Sequence, residues 1–100
     1  MKTIYKYKLQ FTGEQDVFLS DGADILSLQV QNDEVVLWAV IDTDTSSIPA
    51  KIRMFGTGEI IPDSLMLKHI GTVQIGSFVW HFFLDYTVHG IPFHFNITKQ

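Results

Sequence analysis

"DILSLQVQNDEVVLWAVID", residues 24 to 42, is the stretch that decides the fold of this chain. Two runs of strand-forming residues flank Asn32-Asp33, a pair that tolerates the left-handed backbone of a two-residue hairpin turn. That turn aligns three apolar pairs on one face, namely Val30 with Val35, Leu28 with Leu37 and Leu26 with Ala39. The segment is therefore predicted to be a β-hairpin with one buried face.

The opposite face of this hairpin is also apolar. It carries Ile25, Val36, Trp38 and Val40. Soluble monomers seldom expose a contiguous apolar patch of this kind, and the nearby loop "DTDTSSIPA" (42–50) is too polar to cover it. We therefore expect a homo-oligomer, most simply a two-fold dimer, with these four residues in its interface.

The rest of the chain continues this β pattern. Strands are predicted in residues 3–9, 51–58, 69–76 and 78–86, with turn signals between them. About seven or eight short strands indicate an all-β protein, a small antiparallel β-sandwich or barrel. A chain of 100 residues fits a single domain, residues 1–100.

Composition excludes several classes of function. The hydrophobic fraction of 46% predicts a folded globular chain, and the net charge of -4 gives no cationic face for nucleic acid. No apolar run approaches the roughly 20 residues of a membrane-spanning helix, and the alternating N-terminus lacks the pattern of a signal peptide. We therefore expect a cytoplasmic protein without membrane or nucleic-acid partners. The absence of cysteine excludes disulfides and thiolate metal sites.

The segment "VWHFFLDYTVHGIPFHFNI", residues 79 to 97, contains three of the four histidines. A turn at His89-Gly90 predicts a second hairpin in which Asp85 lies directly across from His94, with Cβ atoms about 5 Å apart. His81 lies roughly 13 Å further along the strand, so this register excludes a metal site shared by all three. We expect a polar Asp85–His94 pair without metal. Together the two hairpins predict a buried set, Leu26, Leu28, Val30, Leu37, Ala39, Phe82, Leu84, Phe93 and Phe95.

The glycine-rich segment "FGTGE" (55–59) is the candidate ligand site. Glycines let backbone N–H groups approach an anion, although the segment is also typical of a β-turn or bulge and lacks the helix and lysine of a nucleotide-binding loop. We consider Gly56, Thr57, Gly58 and Trp38 as ligand-binding residues, in a groove at the seam between two subunits with the glycine loop or Trp38 at its edge. No serine has the sequence context of a nucleophile, and we expect no catalytic residues and no cofactor.

Four segments also carry a family resemblance: "MKTIYKYKL", "ILSLQVQNDEVVLWAVID", "IRMFGTGEII" and "HIGTVQIGSFVWHFF". Together they resemble a family of small uncharacterised proteins encoded in tailed-phage and prophage genomes. The resemblance covers most of residues 1–83, and the chain departs from it by continuing with "TVHGIPFHFNITKQ". It implies a viral accessory protein made in the bacterial cytoplasm. The family has no assigned catalytic residues, so none is carried over.

Three functions of different classes remain open. The first is a non-enzymatic phage binding protein that counteracts host defence or physiology, either by binding a host protein or by sequestering a small nucleotide signal. The second is a structural or assembly component of the virion. The third is a small enzyme that uses Asp85 and His94 as an acid–base pair, which also requires a pocket.

Overall fold

The computed structural model describes residues 1–95, which form eight β-strands and no helix. In chain order the strands are β1 (Lys2–Leu9), β2 (Glu14–Ser20), β3 (Asp24–Gln31), β4 (Glu34–Asp42), β5 (Ser47–Gly56), β6 (Leu67–Ile75), β7 (Phe78–Asp85) and β8 (His94–Phe95). The first sheet has the order β1-β4-β3-β8 and the second the order β2-β5-β7-β6. The two sheets share one apolar core, so the predicted all-β class is confirmed as a sandwich and not a closed barrel.

The deciding hairpin forms as the sequence predicts, around a left-handed turn. Asn32 and Asp33 have φ angles of 52° and 63°, which short polar side chains tolerate better than bulky ones do. Val30 pairs with Val35, and Leu28 pairs with Leu37. The register of the hairpin is therefore confirmed next to the turn.

The register changes at the start of β3. A β-bulge between Ile25 and Ser27 places Ile25 opposite Ala39, where Leu26 was predicted. The extra residue reverses which side chain faces the core, since side chains alternate along a strand. Ile25 is consequently fully buried, whereas Leu26 is only half-buried.

The core lies between the sheets, and most of the predicted set is in it. Buried as predicted are Leu28, Leu37, Ala39, Phe82, Leu84 and Phe93. Phe95, like Leu26, is half-buried, and Val30 is 40% exposed beside the hairpin turn. The sheets approach closely at Gly71 of β6, where an added Cβ atom would lie 2.9 Å from the Cβ of Leu28. Glycine is required there because the backbone of β6 packs directly against that leucine.

The predicted hairpin around His89-Gly90 is wrong. β5 and β6 pair with the two edges of β7, so no edge of β7 remains for the segment that follows. That segment crosses instead to the first sheet, where β8 runs parallel to β3 and His94 pairs with Asp24. Burial of Phe93 in the core and a 2.9 Å bond from the His94 N–H to the Ala23 carbonyl hold it there. The last positions of the predicted hairpin, 96 to 98, lie outside the described residues.

Candidate functional site

Charged side chains line up across the outer face of the second sheet. Lys51 on β5 lies between Asp16 on β2 and Asp85 on β7, because the three strands are paired in register. Arg53, two residues further along β5, lies opposite Glu14. Residues two apart on a strand share a face, so these five side chains form one charged surface.

A short ion pair fixes the centre of this surface. The Nε of Arg53 donates a hydrogen bond of 2.6 Å to Oδ2 of Asp85, and its Nη1 lies 3.2 Å from Oε2 of Glu14. The Asp85 side chain is only 5% exposed, and its Oδ1 accepts a 2.9 Å bond from the Thr87 N–H. Burial alone would raise the pKa of Asp85, but the hydrogen bonds from Thr87 and Arg53 outweigh it and hold the pKa below the ordinary value.

A cavity of about 280 Å³ lies beside this ion pair. Its polar lining is Asp16, Lys51, Arg53, Asp85, Thr87 and His89. Its apolar lining includes Pro49, Leu65, Pro92 and Phe93. Small-ligand sites combine such apolar walls with a few convergent polar groups. These residues therefore form a ligand-sized cavity, which the sequence did not predict.

A chain of hydrogen bonds runs over the same face of the sheet. Oγ1 of Thr57 lies 2.9 Å from Nε2 of His81, whose Nδ1 lies 3.0 Å from Oγ1 of Thr72. That hydroxyl is also 2.8 Å from Nε2 of His69. Each hydroxyl has one proton to donate, so the imidazole tautomers decide which atom donates in each contact. The pKa of His69 is lowered, mainly by partial burial and secondly by the neighbouring His81.

The predicted ligand loop around Gly56, Thr57 and Gly58 forms a turn that closes on itself. The Gly56 N–H donates a 3.0 Å bond to the Glu59 carboxylate, and the Glu59 N–H donates to the Gly56 carbonyl, also at 3.0 Å. Gly58 has a φ of 89°, which suits glycine. The Glu59 carboxylate already accepts the Gly56 N–H, and its negative charge would repel an anion at this loop.

The tryptophan beside that loop is Trp80, not Trp38. An added Cβ atom at Gly56 would lie 3.3 Å from the Trp80 ring, whereas Trp38 belongs to the first sheet, between Lys6 and Ser27. Within the single chain, Trp38 therefore lies in the other sheet from the glycine loop.

Trp80 and two phenylalanines form a partly exposed aromatic cluster. The ring centroid of Trp80 is 6.3 Å from that of Phe11 and 6.2 Å from that of Phe78. Phe11 is 49% exposed and Phe78 is 65% exposed. We call these three residues the aromatic cluster. The sequence offered one signal for it, the i, i+2 spacing of Phe78 and Trp80 on a single strand.

The structure separates the other predicted pair. Asp85 pairs with Lys51 and Leu67 in the second sheet, whereas His94 pairs with Asp24 in the first. The predicted cross-strand contact between Asp85 and His94 is therefore wrong, because the hairpin that would create it does not form. Arg53 takes the place of His94 as the partner of the carboxylate.

Two of the four residues predicted at an oligomer interface are buried within the single chain. Ile25 faces the core, and Val36 is only 1% exposed within the single chain. A 3.0 Å hydrogen bond from Lys6 on β1 to Gln31 on β3 passes over β4, the strand between them. Of the predicted patch, Trp38 and Val40 remain half-buried on the surface. The apolar face that motivated this interface is thus largely covered by its own chain.

Fold and site together define a small β-sandwich protein with a charged cavity on one outer sheet face. The family described as "Domain of unknown function (DUF7352)" matches residues 1–90, and the chain belongs to that family. No curated protein and no solved structure matches the chain. Within residues 1–95, no three His, Cys, Asp or Glu side chains converge as metal ligands. That range also contains no helix long and apolar enough to cross a membrane.

Proposed function

We propose that this chain is a non-enzymatic phage binding protein that sequesters a small nucleotide signal in the host cytoplasm. The observation that carries the proposal is the cavity of about 280 Å³ beside the Arg53–Asp85 ion pair. Its volume lies just below the range of about 300–1,000 Å³ that is usual for small-ligand sites, which suits a mononucleotide better than a dinucleotide. The resemblance to phage and prophage proteins supports a role against host defence or physiology.

The lining chemistry narrows the ligand class. Lys51 supplies an ammonium group whose acidic neighbour, Glu14, is 3.5 Å away, so it retains donors for a phosphate. Two acidic residues, Asp16 and Asp85, balance Lys51 and Arg53 in the lining. A ligand with several phosphates would meet no surplus of positive charge. We therefore propose a nucleotide with a single phosphodiester charge, such as a cyclic mononucleotide, with its base against the apolar wall.

The same geometry favours binding over catalysis. Asp85 accepts hydrogen bonds on both oxygens, and its lowered pKa makes it a poor proton acceptor at neutral pH. His94, its proposed acid–base partner, belongs to the other sheet. The cavity therefore supports holding a ligand without transforming it.

Calorimetric titration of the chain with cyclic mononucleotides tests this proposal. Charge-assisted hydrogen bonds contribute about 1.5–3 kcal/mol, so Lys51→Met should weaken binding by roughly 10- to 150-fold. Lys8→Met is the matched control, because Lys8 pairs with Glu34 on the first sheet. The control should bind like the unmodified chain. Equal affinity of all three, or no binding at millimolar ligand, would contradict the proposal.

Binding of a host protein is the second candidate, and the aromatic cluster favours it. Tryptophan and phenylalanine are enriched in protein interfaces, and two members of this cluster are largely exposed. In a pull-down from host extract, Phe78→Ser should then abolish retention of that host protein by the immobilised chain, whereas Ile4→Ser, at an exposed apolar residue of the first sheet, should not. Equal retention by both variants would count against this candidate.

A further inference from the structure

Three long strand edges of this protein have no partner within the described chain, since β1 ends the first sheet and β2 and β6 end the second. A β-bulge between His69 and Gly71 interrupts the edge of β6, which disfavours pairing with another strand. The edges of β1 and β2 border an open groove of about 560 Å³, lined on the β2 side by Glu14, Gln15, Asp16 and Val17. Unpaired strand edges present free N–H and C=O groups to another strand.

The backbone of β2 directs specific residues toward this free edge. The Met54 N–H donates to the Gly13 carbonyl, and the Asp21 N–H donates to the Ser46 carbonyl, both at 3.1 Å. Odd-numbered residues thus direct their main-chain groups toward β5 at each end of β2. Because this direction alternates along a strand, the N–H and C=O groups of Asp16 and Phe18 face the free edge.

The edge of β1 is protected against pairing with a second copy of itself. The Thr43 N–H donates to the Met1 carbonyl at 2.8 Å, so even-numbered residues, including Lys2, Lys6 and Lys8, face outward. Two-fold pairing that uses most of β1 sets lysine against lysine, in the pairs Lys2–Lys6, Lys2–Lys8, Lys6–Lys6 or Lys6–Lys8. Like charges directly opposite each other are destabilising.

The edge of β2 has no such protection. Antiparallel two-fold pairing centred on Val17 places Asp16 directly opposite Phe18 of the second copy, and the main-chain groups of both residues face the new partner. The pairing ends short of Ser20, which is 3% exposed and whose carbonyl accepts a 3.0 Å hydrogen bond from the Ala23 N–H. No like charges lie directly opposite each other in this register. Phe18, which is 59% exposed on the outer face, also lies diagonal to its counterpart, within reach of an aromatic ring.

We propose that two copies of this chain form a dimer by antiparallel pairing of β2, which makes one continuous eight-stranded sheet. The interface is isologous, as two-fold symmetry requires. It differs from the surface around Trp38, and it does not depend on the ligand proposed for the cavity.

Substitutions of Phe18 test both the edge and the register by sedimentation velocity. Phe18→Asp sets an aspartate against Asp16 of the second copy, whereas Phe18→Lys sets an opposite charge there. The aspartate variant should therefore dissociate about tenfold or more readily than the lysine variant. The unmodified chain should sediment as a dimer.

Proline variants separate loss of pairing from loss of folding. Phe18→Pro removes an edge-facing N–H of β2, and Ile4→Pro removes an edge-facing N–H of β1, while neither N–H bonds a neighbouring strand. Edge strands tolerate proline. We expect Phe18→Pro to be a folded monomer with an unchanged far-ultraviolet spectrum, and Ile4→Pro to remain a dimer. A monomeric unmodified chain at several hundred micromolar, or equal dissociation of Phe18→Asp and Phe18→Lys, would overturn the proposal.

Discussion

Replacing Arg53 by methionine isolates the ion pair at the centre of the site. Methionine keeps most of the aliphatic length but removes the hydrogen bond that the guanidinium donates to Asp85 and its ion pair with Glu14. The Asp85 side chain, which is 5% exposed in the unmodified chain, then retains its hydrogen bonds from Thr87 but has lost the adjacent guanidinium. The variant therefore contains a nearly buried charge without a cationic partner.

The structure sets the size of the effect. Breaking a fully buried pair costs about 3–5 kcal/mol. Arg53 is 23% exposed and Asp85 retains one backbone hydrogen bond, so the expected loss of unfolding free energy is smaller, about 2–3 kcal/mol at pH 7. In the double variant Arg53→Met with Asp85→Asn the buried charge is absent, and part of that loss should be recovered.

The pH dependence follows from the pKa of Asp85. Its folded-state pKa lies below the ordinary value of 3.8, so the pair stabilises the fold above that pH and loses its contribution as pH falls through the folded-state pKa. Urea unfolding of both proteins at pH 7 and at about pH 2–3 measures this change. A loss below about 0.5 kcal/mol at pH 7, or a loss that stays constant in acid, would refute the reasoning.

Three further predictions concern the core and the histidine chain. Gly71→Ala should lower the unfolding free energy by about 1–3 kcal/mol, because its Cβ would overlap Leu28; unchanged urea stability would contradict the close approach of the sheets. Leu37→Ala should cost about 2–5 kcal/mol in the same assay, and a loss under 1 kcal/mol would argue against its burial. His69 should titrate below 6.5 by NMR, so its contribution should make stability fall as pH drops below 6.5; a higher pKa would reverse that sign.

The sequence predicted best what local chemistry decides. Asn32-Asp33 specifies the turn of the central hairpin, and the apolar alternation beside it specifies the register of Leu28 with Leu37. The bulge next to Ile25 could not be predicted, because Ile25 and Leu26 are equally apolar and only packing against the second sheet selects one of them. The course of residues 86–93 was missed for a similar reason, since pairing on both edges of β7 decides it.

The cavity was missed because its groups are far apart in the sequence. Asp16, Lys51 and Asp85 come from three strands, and they meet only once the order β2-β5-β7 is known. The sequence pattern instead paired Asp85 with His94 through a turn that is locally plausible. A register error of this kind moves a candidate site to another part of the molecule, while the predicted fold class stays correct.

Chemical-shift mapping with a cyclic mononucleotide tests the central claim, that this protein holds a small nucleotide in the charged cavity, most directly. Two-dimensional ¹H–¹⁵N spectra of the labelled chain should show saturable shifts at the amides of Lys51, Thr87 and His89, while the Trp38 indole resonance stays in place. Shifts confined to the Trp80 indole and the Phe78 amide, or no saturable shift at millimolar nucleotide, would contradict the account.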